Sequence, residues 1–345
     1  MPSPLDSSSR GLCNIAGPVL ETQPYDSAGK GGTSIHALMH HTAEATDPML
    51  SSFSNNSVWE LACGHPFLLA SILAVAASHL SYHTADPTQH RLAESALLSS
   101  CLKTFRPALA QPLTATRSDA LLMTSMLLNN LAFSRLETLN PMKSWVFDDR
   151  EDRLSWLSIQ MGLKPLLVAA APFRDRSLLG PMYEGSDDEG GHFSGEGASL
   201  DRVPAHWLRL AIGMDESVDV ACRVKHEMDE TQPFREAVRL LAEIRQLPAS
   251  ADNFFLYASF FKALDGRFVD LLYAHDKGAL WMLGYWLGLM ERLDMWWCTR
   301  RARRDWTAIH EFLLWKGVGK EDGQDGEMWR ELMGDFESVQ PPDTV

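Results

Sequence analysis

The stretch His65-Pro66-Phe67-Leu68-Leu69-Ala70-Ser71-Ile72-Leu73-Ala74-Val75-Ala76-Ala77-Ser78-His79-Leu80 decides the fold class. Pro66 suits the first turn of a helix, where an amide N–H would have no intrahelical partner anyway. Apolar residues then occupy nearly every face of the helical repeat, so this helix is expected at the centre of a core. Ala279 to Trp297 has the same character. Strand-type alternation appears nowhere for long. The expected fold class is therefore all-α, a single multi-helix domain with helices packed on helices.

Working outward, Thr33 is an N-cap type residue before Ile35, Leu38 and Met39 at helical spacing. Ser57-Val58-Trp59-Glu60-Leu61-Ala62 reads as a short capped helix. Asp86-Pro87 opens a helix to about Phe105, punctuated by Pro107 and Pro112, and Ser118 opens another through about Leu136. Leu154 to Ala171 is helical with a break at Gly162 and Pro165. Val203 to Met214 follows, with Pro204 at its start. Gln232-Pro233-Phe234 opens an amphipathic helix carrying Ala237, Leu240, Leu241 and Ile244, closed by Pro248. Asn253 to about Leu264 and Val269 to Ala274 are aromatic-rich helices, and Ala279 to Trp297 continues or turns into Arg300 to Leu314. The helical domain spans 31–318, with one flexible loop inside it and a segment at either end. Residues 1–30, rich in Ser, Gly and Pro, are expected to be disordered. Residues 184–201 hold five glycines and six acidic residues and read as a flexible acidic loop. Residues 319–345 read as a C-terminal tail.

Composition narrows the function classes. The 345 residues carry a net charge of −14, which gives no general pull toward phosphate backbones. The five cysteines, at 13, 63, 101, 222 and 298, contain no Cys-x-x-Cys, so a cysteine-based zinc cluster is not built from them. Their scatter suits reduced thiols in the nucleus or cytoplasm. The start Met1-Pro2-Ser3-Pro4-Leu5-Asp6 lacks a secretory pattern. The absence of 18 uninterrupted apolar residues argues against a membrane span.

Four features could carry chemistry. His36, His40 and Glu44 lie on one helix face, as metal ligands would. With twelve histidines in the chain, and a second i,i+4 pair at His79 and His83, a chance polar face or a hydrogen-bonded helix interface is the favoured reading, and no metal is assigned. Glu60, His65 and His79 border a buried helix, yet a histidine in such a place is more often a hydrogen-bonded core residue than a catalyst. The glycine-rich stretch Gly190-Gly191-His192-Phe193-Ser194-Gly195 is acidic and lacks the following Lys-Ser/Thr of a phosphate loop. No catalytic residue and no cofactor is assigned. The run Arg300-Arg301-Ala302-Arg303-Arg304 spreads around a helix and is read as structural, paired with acidic neighbours such as Asp294 and Asp305.

A further feature is aromatic. Seven of the eleven tryptophans lie beyond residue 280. Phe254, Tyr257 and Phe261 share one helical face, and Trp281, Tyr285 and Gly288 share another, with the glycine leaving room beside two large rings. These six residues form the expected binding site for a lipophilic ligand, against the plainer alternative of core packing.

The ordered set His40-His41-Thr42-Ala43-Glu44-Ala45-Thr46, Val58-Trp59-Glu60-Leu61-Ala62 and His65 to Leu80 resembles the regulatory domain of fungal-specific zinc-cluster transcription factors, of the sterol-uptake-control type. Ser144-Trp145-Val146-Phe147, Ala279-Leu280-Trp281-Met282-Leu283-Gly284-Tyr285-Trp286 and Trp296-Trp297-Cys298 continue it in order and spacing, from about residue 36 to 315. The resemblance implies an all-α domain that dimerises and, in sterol-sensing members, a hydrophobic pocket for a sterol. It also implies a preceding six-cysteine zinc cluster, from which this sequence departs: only Cys13 precedes residue 60. The expected protein is a transcription-factor-like regulator that binds a sterol- or terpenoid-like small molecule and works as a homodimer, or as a heterodimer with a DNA-binding regulator, without direct zinc-cluster DNA binding. The alternative is an enzyme of fungal secondary metabolism built on the same helical fold and acting on an apolar substrate.

Overall fold

The computed structural model describes residues 31–51, 56–179, 202–212 and 234–341. The expected disordered segment 1–30 and acidic loop 184–201 lie outside the described residues. Every regular element among the described residues is helical, in agreement with the expected all-α multi-helix domain. The packing gathers into two compact units, one formed by 31–134 and 162–179 and the other by 135–161, 202–212 and 234–341.

The first unit is built around the helix Pro66–His83, in which all twelve residues from Phe67 to Ser78 are buried. Pro66 occupies the first turn, as expected. The helices Ile35–Glu44, Asn56–Gly64, Thr88–Leu109 and Ala115–Ser134 pack around it and supply the cover that its all-round apolar surface requires. By length and composition Pro66–His83 could also cross a membrane. Its Ser71 hydroxyl is satisfied within the helix, donating to the Leu68 carbonyl at 2.8 Å. Ser34, one residue after Thr33, caps Ile35–Glu44 by accepting from the Ala37 N–H at 3.2 Å. Pro107 lies inside the last turn of Thr88–Leu109 rather than beyond its end. The break at Gly162 is present, and Pro165 falls in the first turn of Leu163–Ala170, a position that tolerates proline. Leu163, Leu166 and Leu167 pack with Leu179 on Leu122 and Ala170. Beside them the buried Asp119 carboxylate accepts from the Ser177 hydroxyl and from the Leu178 N–H.

The second unit is built around Lys277–Glu291, whose residues from Gly278 to Glu291 are all buried. Asp276 starts it by accepting from the N–H groups of Gly278 and Ala279, both at 2.9 Å. The helices Arg235–Ile244, Gly266–Tyr273, Trp296–Trp315 and Gln324–Ser338 surround it. The expected run from Ala279 through Trp297 is interrupted at 292–295, where Asp294 adopts φ 48°. Asn253–Leu264 is likewise divided, at Ser259, into Phe254–Ala258 and Phe260–Ala263. The region read as a tail contains the helix Gln324–Ser338, which buries Met328, Trp329, Leu332, Met333 and Phe336. These positions repeat at helical spacing, but the flanking Gly and Asp residues mask the pattern.

One polar centre fixes how Trp296–Trp315 is held. The fully buried Asp305 carboxylate accepts from the Ser144 hydroxyl at 2.7 Å, from Arg304 Nε at 2.8 Å and from Arg301 Nη1 at 3.4 Å. The two guanidiniums also reach carbonyls, Arg301 that of Arg135 at 2.8 Å and Arg304 that of Thr138 at 3.3 Å. Arg301 lies 4.8 Å over the Trp156 ring. Burial pulls its guanidinium down to about 10, against the opposing pull of Asp305. The segment 135–147, with its two short 3-10 turns Pro141–Lys143 and Trp145–Phe147, is thereby clasped to the helix. Removing the carboxylate would leave two guanidiniums buried without their counter-charge. Asp305→Ala is expected to destabilise the fold by about 3–5 kcal/mol, read as a lowered urea midpoint; a midpoint within error of the parent would contradict the clasp.

Candidate functional site

The aromatic set singled out from the sequence sits on two sides of Lys277–Glu291. Trp281 and Tyr285 share a side, as helical spacing requires. They stack on each other with centroids 5.2 Å apart and an interplanar angle of 15°. Trp207, from the helix Ala205–Ile212, meets both edge-on at 5.1 and 5.0 Å. The Trp281 indole N–H donates to the Leu332 carbonyl at 2.7 Å. Burial pushes the Tyr285 hydroxyl up to about 12, with Arg245 opposing. Gly288, on the same side, lies against the end of Gln324–Ser338: a β-carbon there would stand 2.6 Å from both Val339 Cγ2 and the Val339 carbonyl oxygen. At Gly284 it would stand 2.5 Å from the Phe336 ring. The two glycines thus admit another part of the protein, and the room expected beside Trp281 and Tyr285 is filled by Val339 and Phe336.

Phe254, Tyr257 and Phe261 meet a different residue, Trp286, or lie further along. Phe261 packs edge-on against Trp286 at 4.7 Å, and the Trp286 indole N–H donates to the Tyr257 carbonyl at 2.8 Å. Tyr257 is buried and its hydroxyl reaches the Leu247 carbonyl at 3.3 Å. Phe254 packs edge-on against Trp297 at 5.2 Å. Trp286 is five residues after Trp281, so it projects about 140° away around the helix. The six residues therefore do not form facing halves of one groove: Trp281, Tyr285 and Gly288 lie on one side of the helix, while Phe261 packs on Trp286 and Phe254 on Trp297. Sequence reasoning missed Trp207, Phe260 and Trp286 as partners. Phe260 stacks on Trp286 at 5.6 Å and 17°. The signal available was the spacing of Trp286 from Trp281, which no helix face accommodates together.

Charged and polar groups are drawn into pairs. Arg303 pairs with Glu291 at 2.5 Å, so the arginine run is structural as expected, though Glu291 rather than Asp294 takes part. Asp335 accepts from the Trp207 indole N–H at 2.6 Å and lies 2.7 Å from His206 Nε2, while Glu331 lies 3.3 Å from His206 Nδ1. These contacts pin Ala205–Ile212 to Gln324–Ser338. In the first unit His40 pairs with Glu44 at 3.1 Å on an exposed face. His41 and His79 meet instead, with His41 Nε2 2.9 Å from His79 Nδ1. Among the described residues no three His, Cys, Asp or Glu side chains are arranged to hold a metal ion. The thiols of Cys101 and Cys298 are buried, which pushes both up to about 12 and keeps them protonated at neutral pH.

No protein-family model matches the chain, and no curated protein matches it.

The close approach at Gly288 gives a direct test. In Gly288→Leu the new side chain meets a backbone carbonyl, which cannot rotate away as a side chain can. The variant is expected to lose about 1–3 kcal/mol or more of stability, the range for overpacking. Thermal unfolding measures it; an unchanged melting temperature would show that the space beside Gly288 is open.

Proposed function

We propose that the chain is a transcription-factor-like regulatory protein. In this reading it binds a lipophilic small molecule of sterol- or terpenoid-like chemistry and works through protein partners, as a homodimer or as a heterodimer with a DNA-binding regulator, in the nucleus or cytoplasm. The observation that carries the reading is where the family-like segments fall. Val58, Trp59 and Ala62, Phe67 to Ser78, Trp145 and Val146, Ala279 to Trp286, and Trp296 to Cys298 are the buried surfaces around which the two units close.

A ligand on the face of Trp281, Tyr285 and Gly288 would take the place of Val339 and Phe336. Ligand binding and docking of the Gln324–Ser338 helix then compete for one apolar surface, which is a means of passing ligand occupancy to a partner. Such competition shifts populations only by the difference in affinity for the two arrangements.

Two measurements test the reading. Organic extraction of the purified chain followed by mass spectrometry is expected to recover a sterol- or terpenoid-like molecule in near-stoichiometric amount; a clean extract overturns the ligand. Tethered to a heterologous DNA-binding domain in a fungal host, the chain is expected to change reporter transcription several-fold. No change overturns the regulatory role.

A further inference from the structure

Three histidines of the first unit come together where the helix Ile35–Glu44 crosses Pro66–His83. His41 Nε2 is 2.9 Å from His79 Nδ1, and the ring of His83 lies 4.5 Å from that of His79. Two ring nitrogens at that distance hold one hydrogen between them, so at least one of the two must be a bare acceptor. The same helix also buries Leu38, Met39 and Thr42, and two contacts lie just before it. Thr33 Oγ1 is 2.7 Å from His90 Nδ1, and the Thr33 N–H donates to the Gln89 carbonyl at 3.3 Å. A short helix with a small apolar face and an adjoining polar contact is the kind of element that opens locally before the rest of a domain does.

We propose that the His41–His79 pair is an acid-sensitive latch, and that protonation of both rings frees the Ile35–Glu44 helix from Pro66–His83 and bares the apolar side chains of Leu38 and Met39.

The chemistry has two stages. A first proton leaves the bond intact, because an imidazolium N–H still finds an imidazole nitrogen to donate to. A second proton puts two N–H groups and two positive charges face to face. The groups around the pair act in both directions. His83 and His90, when charged, oppose its protonation, while Asp47 and Glu44 favour it. Glu44 is partly occupied by His40 at 3.1 Å. Burial is the largest influence. It holds His79 well below the usual histidine range, to about 4 from 6.5, and lowers His41 as well. The sign follows from these depressed values. The unfolded or undocked chain binds protons more readily than the docked one, so the latch is complete above about pH 6.5 and weakens progressively as the pH falls toward 4.

Hydrogen exchange of the full chain at pH 7.5 and pH 5.0 tests the latch. Protection factors of the 35–44 amides are corrected for intrinsic rates and referred to those of Lys277–Glu291. In the parent they are expected to fall by about tenfold or more at the lower pH, allowing for solvent screening at a half-buried pair. His79→Gln retains a hydrogen-bonding group but cannot take up charge, so two facing charges can no longer form and its 35–44 protection should fall several-fold less than the parent's between the two pH values, and His41→Gln should behave likewise. Protection retained by the parent at pH 5.0, or lost equally in both variants between the two pH values, overturns the proposal. Should the glutamine side chain itself undock the helix at pH 7.5, nitrogen-15 NMR of the parent's histidine rings decides. Opening that tracks the shared titration of His41 and His79 supports the latch, and opening that tracks His90 or a carboxylate overturns it.

Discussion

A helix with no polar face is stable in water only when other helices cover it on every side. Each of the two units contains one such helix, Pro66–His83 in the first and Lys277–Glu291 in the second, and packs other helices around it. Fully burying one large apolar side chain contributes about 1.5–3 kcal/mol. That gain is opposed by the ordering of every residue that does the covering, roughly 1–2 kcal/mol each for the backbone alone. A partial cover would therefore be a poor arrangement. The requirement explains the order of elements better than any local propensity does. Short amphipathic helices such as Arg235–Ile244 and Gly266–Tyr273 need only one apolar face because they serve as walls.

Close cover leaves little room for polar atoms, and several of those that are buried are gathered into hydrogen-bonded groups. Asp305, with Ser144, Arg301 and Arg304, is the clearest of these. Four indole or carboxylate contacts do a similar service between elements: Trp281 to Leu332, Trp286 to Tyr257, Trp207 to Asp335, and His206 to Asp335. His41 and His79 differ from the Asp305 group in one physical respect. Their bond depends on a proton count that changes in mildly acidic water, whereas a guanidinium and a carboxylate keep their charges near neutrality.

The sequence pattern made much of the fold legible. Both central helices, the break at Gly162, the proline at the head of Pro66–His83 and the absence of strands among the described residues all follow from periodicity and from the backbone chemistry of Gly and Pro. The last helix was hidden because Gly323, Gly326 and Gly334 interrupt a run whose buried residues are Met328, Trp329, Leu332, Met333 and Phe336. The candidate ligand site was legible only in part. Helical spacing grouped Trp281 with Tyr285, which stack on each other, but it also put Phe254, Tyr257 and Phe261 on one face of a nearby segment that is in fact two helices. It could not say that the break at Ser259 would turn that segment toward Trp286.

The sequence by itself determined the secondary structure class and the two helices that must be central, because each of these depends on residues close together along the chain. Only the tertiary structure decided what lies beside Gly284 and Gly288, which acidic group serves Arg303, and that His41 finds His79 across 38 residues. A glycine in a helix records that something comes close without recording what. A histidine records that a proton can be exchanged without recording with whom. Both answers are set by the faces that helices turn to one another when their apolar surfaces are covered.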